Sequence, residues 1–302
     1  MLTWIRQHTG VKFHPFARTF PMLARRLLGM PQWLLPKSTQ ETQNFMAIVD
    51  RLARVAYDEA ISEGKSSSEH KTVLHSIFQS DTLPEEEKAY ARVRADAFIF
   101  IGAGTETTGR TLAVTIYHIL SKRSVYNRLV EELRTVMPTS VSPVPSTTTL
   151  DGLPYLTAVI QEGTRIAHGV AGRLARTAPD EDLQYGKYLI PRGSTLSQSH
   201  YLLHTDPQHF PDPFAFAPER FLGPEGDSAR RHLFSFGKGN RSCVGMNLAY
   251  SEMYLTIAVL IGSVKMELFE TADRDAETVT EYFIGLLPDD SKGIRVKVLG
   301  LL

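Results

Sequence analysis

The sequence predicts a mainly α-helical fold with a minor β component. Long stretches before residue 175 carry apolar residues at helical spacing, with recognisable helix-start signals. Short strand-like stretches are confined to about residues 172–199 and to the end of the chain near 294–298. The composition, 42% hydrophobic and 22% charged over 302 residues, is that of a globular protein with a sizeable core.

The charge balance and the single cysteine restrict the function. Lys and Arg together number 33, as do Asp and Glu, so no overall field attracts nucleic acid and no such partner is expected. One cysteine cannot form an intramolecular disulfide, which favours a reducing, intracellular compartment. No stretch approaches the ~20 apolar residues that a membrane-spanning helix needs.

The first 40 residues are basic and apolar, with six Lys or Arg and no acidic residue before Glu41. Three interpretations stand side by side: a segment lying on an anionic membrane surface, a transit-like sequence, or a helix packed on the core with a basic solvent face. The residues concerned are the basic Arg6, Lys12, Arg18, Arg25, Arg26 and Lys37 and the apolar Phe13, Phe16, Phe20, Leu23, Leu27, Leu28, Trp33 and Leu34.

Two helices are predicted in the first 121 residues. Apolar spacing predicts one over 47–61, which ends at the polar break at 64–68. The other begins at 81–87, where small polar residues, a proline and three acids form a helix start, and it continues to about Ser121. At 1.5 Å per residue this helix is roughly 50 Å long, so we expect it to run through the core.

The rest of the chain mixes helices, turns and short strands. The predicted elements are, in order, a proline- and serine-rich loop ending at Thr149, a helix from Pro154 past Arg165, strands at Tyr188–Ile190 and Thr195–Ser197 flanking a turn at 191–193, a meander of turns with five prolines at 205–224, a helix over about Val244–Ser263 and a terminal hairpin ending at 294–298.

Three glycines surround the only cysteine in the segment FSFGKGNRSCVG, residues 234–245. Glycines let the backbone approach a bulky partner closely. Cys243 lies just before or at the start of a helix, whose amides stabilise the thiolate that iron requires. A lone cysteine is more often a small buried hydrophobe. Five positions matching F-x-x-G-x-R-x-C-x-G, from Phe236 to Gly245, favour a ligand instead.

The long helix contains the hexapeptide Ala103–Thr108, with glycines at 102 and 104. Each glycine costs about 1 kcal/mol inside a helix, which a flat cofactor lying against the helix explains, as does ordinary packing through small residues. Thr107 and Thr108 can hydrogen-bond to carbonyls one turn earlier and loosen the helix, which leaves room for water.

Two further motifs involve arginines. Glu162 and Arg165 share one helical face, and Pro218-Glu219-Arg220-Phe221 follows some fifty residues later. An exposed pair of this kind contributes only ~0–1 kcal/mol, and E-x-x-R is frequent by chance. Arg173, in the sequence Gly172-Arg173-Leu174, is on its own an ordinary surface residue.

Together, in this order and at these separations, the four motifs resemble the cytochrome P450 family over residues 95–300. The resemblance implies a partial cytochrome P450 fold and a haem whose iron is bound by the Cys243 thiolate. It implies that Arg241 and Arg173 hold haem propionates and that the haem packs against four more residues, which are Phe236, Gly237, Ala103 and Gly104.

The resemblance also assigns roles away from the haem ligand. Thr107 is implied to hold the hydrogen-bond network of the bound oxygen, and Glu106 to help deliver protons. Glu162, Arg165 and Arg220 are implied to form a buried triad that braces the cysteine loop, a structural and not a chemical role.

The function implied by the resemblance is a haem-thiolate monooxygenase. It oxidises a small lipophilic substrate with O2, using electrons from an NADPH-dependent reductase. The same resemblance implies a position at the endoplasmic reticulum membrane face, with peripheral membrane contact. A haem-binding protein without efficient catalysis is the main alternative. A cysteine hydrolase with Cys243 as nucleophile and His232 as base is a weaker one, because the local cysteine-protease signatures are absent. A zinc site is not expected, because His200, His204 and His209 match no zinc spacing.

Members of this family carry more chain before the oxygen-site helix than stands here. We therefore expect a single partial domain over 1–302, with 1–80 a remnant of upstream helices, 81–121 the oxygen-site helix and 234–263 the cysteine loop with its following helix. Such a truncated domain would expose haem and apolar surface to water.

Overall fold

The computed structural model describes residues 14–62, 72–282, 284–288 and 290–302. Helices dominate these residues and the strands are short, which confirms a mainly α fold with minor sheet. Contacts divide the chain into two compact units that meet within one helix, between Glu106 and Thr107. The predicted polar break at 64–68 and the basic residues Arg6 and Lys12 lie outside the described residues.

The first unit is helical throughout its described part. Its core joins the long third helix to the sixth, through Phe45, Val49 and Ala53 against Ala97, with the Phe45 and Phe98 rings meeting edge to face at 5.2 Å. Its elements are α1 (His14–Thr19), α2 (Pro21–Leu28), α3 (Lys37–Ser62), α4 (Val73–Phe78), α5 (Glu85–Lys88) and the first part of α6 (Tyr90–Ser121).

The long helix starts later than predicted, at Tyr90, although it ends at Ser121 as expected. Ser80 explains the delay, because its Oγ accepts hydrogen bonds from the amides of Thr82 and Leu83 at 3.2 and 3.3 Å. Such a turn competes with helix formation, and Pro84 biases the residue before it away from helical geometry. The acids at 85–87 therefore belong to the separate short α5, which is followed by an extended Ala89.

The second unit packs three helices around its largest core. Six fully buried residues from α7, α9 and α12 form its centre: Leu129, Leu133, Leu156, Ile160, Ile257 and Ile261. The helices of this unit after α6 are α7 (Arg123–Arg134), α8 (Thr147–Asp151), α9 (Pro154–Ala167), α10 (His200–His204), α11 (Gly226–His232) and α12 (Met246–Ser263).

The start of α9 is fixed by a carboxylate from another helix. Both oxygens of Glu132 accept backbone N–H bonds, from Tyr155 at 2.8 Å and from Leu156 at 2.7 Å. They satisfy donors that the first turn of a helix leaves unpaired, and Pro154 stands at the first position, where no N–H is needed. The predicted start at Pro154 is confirmed.

The strands form four separate antiparallel pairs. The predicted strands at 188–190 and 195–197 exist as β3 and β4, but each pairs with an earlier strand. The predicted terminal hairpin is wrong: β8 pairs with β5, some thirty residues earlier. The pairs are β1 (Arg176–Thr177) with β4 (Thr195–Leu196), β2 (Leu183–Tyr185) with β3 (Tyr188–Ile190), β5 (Val264–Leu268) with β8 (Val296–Leu301), and β6 (Thr280–Tyr282) with β7 (Ile284–Leu286).

Candidate cofactor site

The chain reverses direction in the cysteine loop, and backbone hydrogen bonds within the loop stabilise this turn. The amide of Cys243 donates to the carbonyl of Phe236 at 2.8 Å, and the amide of Gly237 donates to the carbonyl of Phe234 at 2.9 Å. Gly237 and Gly239 have φ of +68° and +72°, in the left-handed region that glycine enters without strain. The loop thus brings Cys243 back beside Phe236, and the cysteine is exposed, not buried as a lone cysteine usually is.

The helix after the cysteine begins slightly later than predicted. Helix α12 starts at Met246 and is capped by Gly245, so Cys243 lies just before its first turn. A side chain placed on Gly245 would come within 3.9 Å of the Cys243 sulfur, which shows how close the sulfur lies to that turn. The first amides of a helix have no partner within the helix, and Cys243 lies beside those of α12.

A cavity of about 1000 Å³ opens in front of the loop, within the second unit. This volume lies at the upper end of the roughly 300–1,000 Å³ typical of ligand sites. Cys243 and Arg241 line it together with residues 234–238 of the loop and Thr107, Thr108 and Thr111 of α6. The opposite wall comes from the segment after α9 and the strands, and includes Gly169, Val170, Leu174, Arg176, Ile190, Leu196 and His200.

Threonine side chains hydrogen-bond back to the carbonyls of α6 beside the cavity. Thr111 Oγ donates to the carbonyl of Thr107 at 3.0 Å, and Thr115 Oγ donates to the carbonyl of Thr111 at 2.7 Å. These bonds add a second donor to a helical carbonyl and favour a local bend. Thr107 and Thr108 are themselves among the residues that line the cavity.

The preceding turn of α6 holds the other predicted residues of this helix. Ala103, Gly104 and Glu106 lie in the first unit and are not among the described residues that line the cavity. Ala103 and Gly104 are exposed, and a Cβ added to Gly104 would meet no atom within 4 Å. Gly102, by contrast, faces the Phe45 ring at 3.7 Å, so ordinary packing accounts for that glycine.

The structure brings Arg176 to the cavity, a residue that the sequence analysis missed. Arg173 is exposed and is absent from the described lining, whereas Arg176, on β1, belongs to it. The two arginines stand three residues apart in the sequence, and no local pattern distinguished them. His232, the base of the hydrolase alternative, is also outside the described lining; its Nδ1 is 2.9 Å from the Ser228 carbonyl and its ring stacks on His209 at 3.9 Å.

A buried ion-pair network lies behind the loop and confirms the predicted triad. The side chains of Glu162 and Arg165 are both completely buried, and two parallel bonds of 2.7 and 2.8 Å join them. Arg220 Nε adds a third bond to Glu162 at 3.1 Å, and the amide of Ala217 adds a fourth at 2.8 Å. The buried carboxylate is therefore paired with two cations and fully hydrogen-bonded, as burial requires.

The two arginines of the triad also hold the meander of turns. Arg165 donates to the carbonyls of His204, Pro213 and Ala215 at 2.8, 2.7 and 3.2 Å. Arg220 donates to the carbonyl of Pro211 at 2.9 Å. One charge cluster thus fixes a segment of five prolines whose regular structure, among the described residues, is one short 3-10 helix at Pro218–Phe221.

Known proteins that are similar to this chain agree with the site and the fold described above. The sequence model of the family described as cytochrome P450 matches residues 6–291. The chain belongs to the cytochrome P450 family. It is 50% identical to the cytochrome P450 monooxygenase ucsK of Acremonium sp, over 97% of this chain and 59% of that protein. It is 32% identical to the cytochrome P450 monooxygenase TRI4 of Trichoderma arundinaceum, over 95% of this chain and 57% of that protein.

The fold is also that of a solved cytochrome P450. A crystal structure of a cytochrome P450 (CYP102L1) superposes with a TM-score of 0.66 and 22% identity, over 85% of this chain and 56% of that one. This chain spans just under three fifths of the length of these P450 relatives. The predicted partial cytochrome P450 fold is confirmed.

The residues at the cavity fit the haem that membership of the P450 family implies. Cys243 offers an exposed soft sulfur donor, the type of ligand that the family uses for iron. Arg241 and Arg176 supply guanidinium groups suited to two carboxylates.

The buried triad generates a stability prediction. In Glu162→Gln the amide keeps the size of the side chain but leaves two buried guanidinium groups without an anion, so we expect a loss of about 3–5 kcal/mol. Glu219→Gln is the matched control, because its half-exposed carboxylate pairs with Arg128 at 3.3 Å and is expected to contribute less than about 1 kcal/mol. Urea unfolding of both variants measures the difference; equal losses would contradict the structural role of the triad.

Proposed function

We propose that this chain is the haem-binding part of a monooxygenase that oxidises a small lipophilic substrate with O2. The observation that carries the proposal is an exposed cysteine and the threonines of α6 lining one cavity of about 1000 Å³. When bound, thiolate-ligated haem iron supplies the activation of oxygen. An NADPH-dependent reductase is the proposed electron donor, in keeping with the relatives that are named monooxygenases.

Residues of the cysteine loop are proposed to hold the cofactor. Cys243 is the proposed iron ligand, kept in place by the hydrogen bond from its backbone amide to the Phe236 carbonyl. Phe236 and Gly237 pack beside the ligand, and Arg241 pairs with a propionate. Position on the cavity wall supports Arg176 for the second propionate, and Arg173 remains the alternative carried by the sequence.

Helix α6 is proposed to serve the oxygen side of the site. Thr107 lies on the cavity wall, and its hydroxyl is proposed to order a hydrogen bond there. Glu106, next in the helix, is the proposed proton donor to that network. Ala103 and Gly104 stay proposed contacts of the cofactor on the strength of the family motif, since they are not among the described residues that line the cavity.

The central assignment is tested by loading the chain with haem and recording the reduced, carbon-monoxide-bound spectrum. Wild type is expected to give the red-shifted Soret band of a thiolate ligand, and Cys243→Ala to lose it. Ser242→Ala is the control, because it changes the neighbouring residue and keeps the sulfur.

Two outcomes would go against the proposal. An unchanged spectrum in Cys243→Ala would exclude the cysteine as ligand. A thiolate band without product formation, when reductase and O2 are supplied, would favour the alternative of a haem-binding protein without efficient catalysis.

The two candidate arginines are separated by the rate at which haem leaves the protein. Arg176→Met removes a charge-assisted bond to a propionate, so haem transfer to an acceptor protein is expected to accelerate about tenfold or more. Arg173→Met is the matched control and is expected to release haem at the wild-type rate. Faster release from Arg173→Met alone would return the role to Arg173.

We also propose that residues 20–35 contact an anionic membrane surface, such as the cytoplasmic face of the endoplasmic reticulum. Met22 and Trp33 are exposed to 79% and 80%, large values for such apolar side chains. Arg25 and Arg26 end α2, which has no acid in its first turn. Exposed apolar residues beside cations suit a charged lipid surface. No helix among the described residues is long and apolar enough to span a membrane.

Vesicle sedimentation tests this contact. Each cation near an anionic surface contributes ~1 kcal/mol, so Arg25→Gln with Arg26→Gln is expected to weaken binding to phosphatidylserine-containing vesicles roughly thirtyfold. Lys187→Gln with Arg192→Gln, two exposed cations of the second unit, is the control for lost charge. Equal weakening by both pairs, or equal binding of wild type to neutral vesicles, would contradict the proposal.

A further inference from the structure

His204 is a buried histidine, and one of its ring nitrogens accepts a backbone hydrogen bond. The residue is completely buried at the end of α10, and its Nε2 accepts the backbone N–H of Phe234 at 2.9 Å. An acceptor nitrogen carries no proton, so in the neutral ring the proton is on Nδ1. Burial lowers the pKa of His204 to about 3, so the ring stays neutral and able to accept at neutral pH.

The other ring nitrogen makes a purely space-filling role a poor explanation. Nδ1 is buried and makes no well-formed hydrogen bond to the described residues, although the backbone of Arg165 acts on it as a weak acceptor. A poorly paired buried donor costs free energy that a phenylalanine or leucine of similar size would not incur. The imidazole supplies an acceptor for the Phe234 amide, the first of the cysteine loop, and an apolar side chain would supply none.

The backbone of the same residue belongs to the buried ion-pair network. The carbonyl of His204 accepts a bond of 2.8 Å from Arg165, whose guanidinium is paired with Glu162. The carbonyl is therefore fixed by the triad while the ring is fixed to the loop. One residue connects the two parts of the site.

The contact continues through the loop to the cysteine. Phe234 receives the Gly237 amide on its carbonyl at 2.9 Å, and Phe236 receives the Cys243 amide at 2.8 Å. Ser235 Oγ donates to the Thr164 carbonyl at 3.0 Å, a second attachment of the same stretch to α9. A displacement of Phe234 would therefore move the turn on which Cys243 depends.

We propose that His204 is a positioning residue for Cys243: its Nε2 anchors the Phe234 amide and so couples the Glu162–Arg165 pair to the cysteine loop. This inference deepens the proposed function and rests on it for the role of Cys243 as ligand. It does not make His204 a catalytic residue, since His204 is not among the described residues that line the cavity and reaches that lining only through Phe234.

Three substitutions separate the acceptor from the packing. His204→Phe keeps the ring size and removes the acceptor. His204→Gln can place its amide oxygen where Nε2 stands, whereas the shorter His204→Asn places its oxygen near the Nδ1 position. Phe210→Leu is the packing control, because Phe210 is completely buried, meets the His204 ring edge on at 6.0 Å and has a side chain that cannot hydrogen-bond. Its ring also lies 5.1 Å from the Arg165 guanidinium, so this variant reports what lost packing on the triad does by itself.

The first measurement is hydrogen exchange of the Phe234, Gly237 and Cys243 amides in the full chain as purified with a haem precursor. Loss of the acceptor is expected to accelerate exchange at Phe234 about tenfold or more in His204→Phe and His204→Asn. His204→Gln and Phe210→Leu are expected to stay near the wild-type rate. Should His204→Phe not fold, the Gln and Asn pair carries the same comparison.

The second measurement is the thiolate fraction of the reduced, carbon-monoxide-bound spectrum, with the iron reduction potential. His204→Phe is expected to lower the fraction and shift the potential, and His204→Gln to restore both. Equal effects of His204→Phe and Phe210→Leu, or no rescue by glutamine, would overturn the proposal. A wild type without any thiolate band would instead refute the proposed function, while the exchange comparison would still decide whether His204 anchors the loop.

Discussion

The buried carboxylate of Glu162 is the constraint on which the rest of the second unit depends. A charge without solvent must be neutralised, and here Arg165, Arg220 and the Ala217 amide satisfy it. Because the same arginines reach the carbonyls of Pro211 and Pro213, satisfying one carboxylate also fixes an irregular segment of chain. The cysteine loop packs on this assembly through Phe234 and Ser235.

The turn of the cysteine loop depends on local sequence, and its orientation depends on packing between distant parts of the chain. Left-handed Gly237 and Gly239 let the chain reverse, and the amide of Cys243 closes the turn on Phe236. These features are local, and a peptide of this sequence would favour them. The orientation of the turn towards a cavity depends on α6, α9 and α12, which meet only in the folded unit.

Features with local causes were predictable from the residues themselves. The start of α9 at Pro154 follows from a proline, and the strand at 188–190 follows from β-branched or aromatic content. The triad joins residues 58 positions apart and was predicted only through the family resemblance. The partner of β8 is a strand thirty residues away, and Arg176 differs from Arg173 only in where the folded chain places it. A lone histidine such as His204 carries no signal, because its role lies in a contact across 30 residues. The delayed start of α6 was missed because the Ser80 side-chain turn outcompetes a plausible helix start.

Binding the iron and turning over a substrate are separate properties, and this chain spans about three fifths of its P450 relatives. The first property depends on the proposed bond between the Cys243 sulfur and the haem iron. The iron K-edge X-ray absorption spectrum of the haem-loaded chain tests this directly. We expect one sulfur scatterer bound to iron in wild type and none in Cys243→Ala; nitrogen and oxygen ligands alone in wild type, or a sulfur that persists in the variant, would contradict the claim.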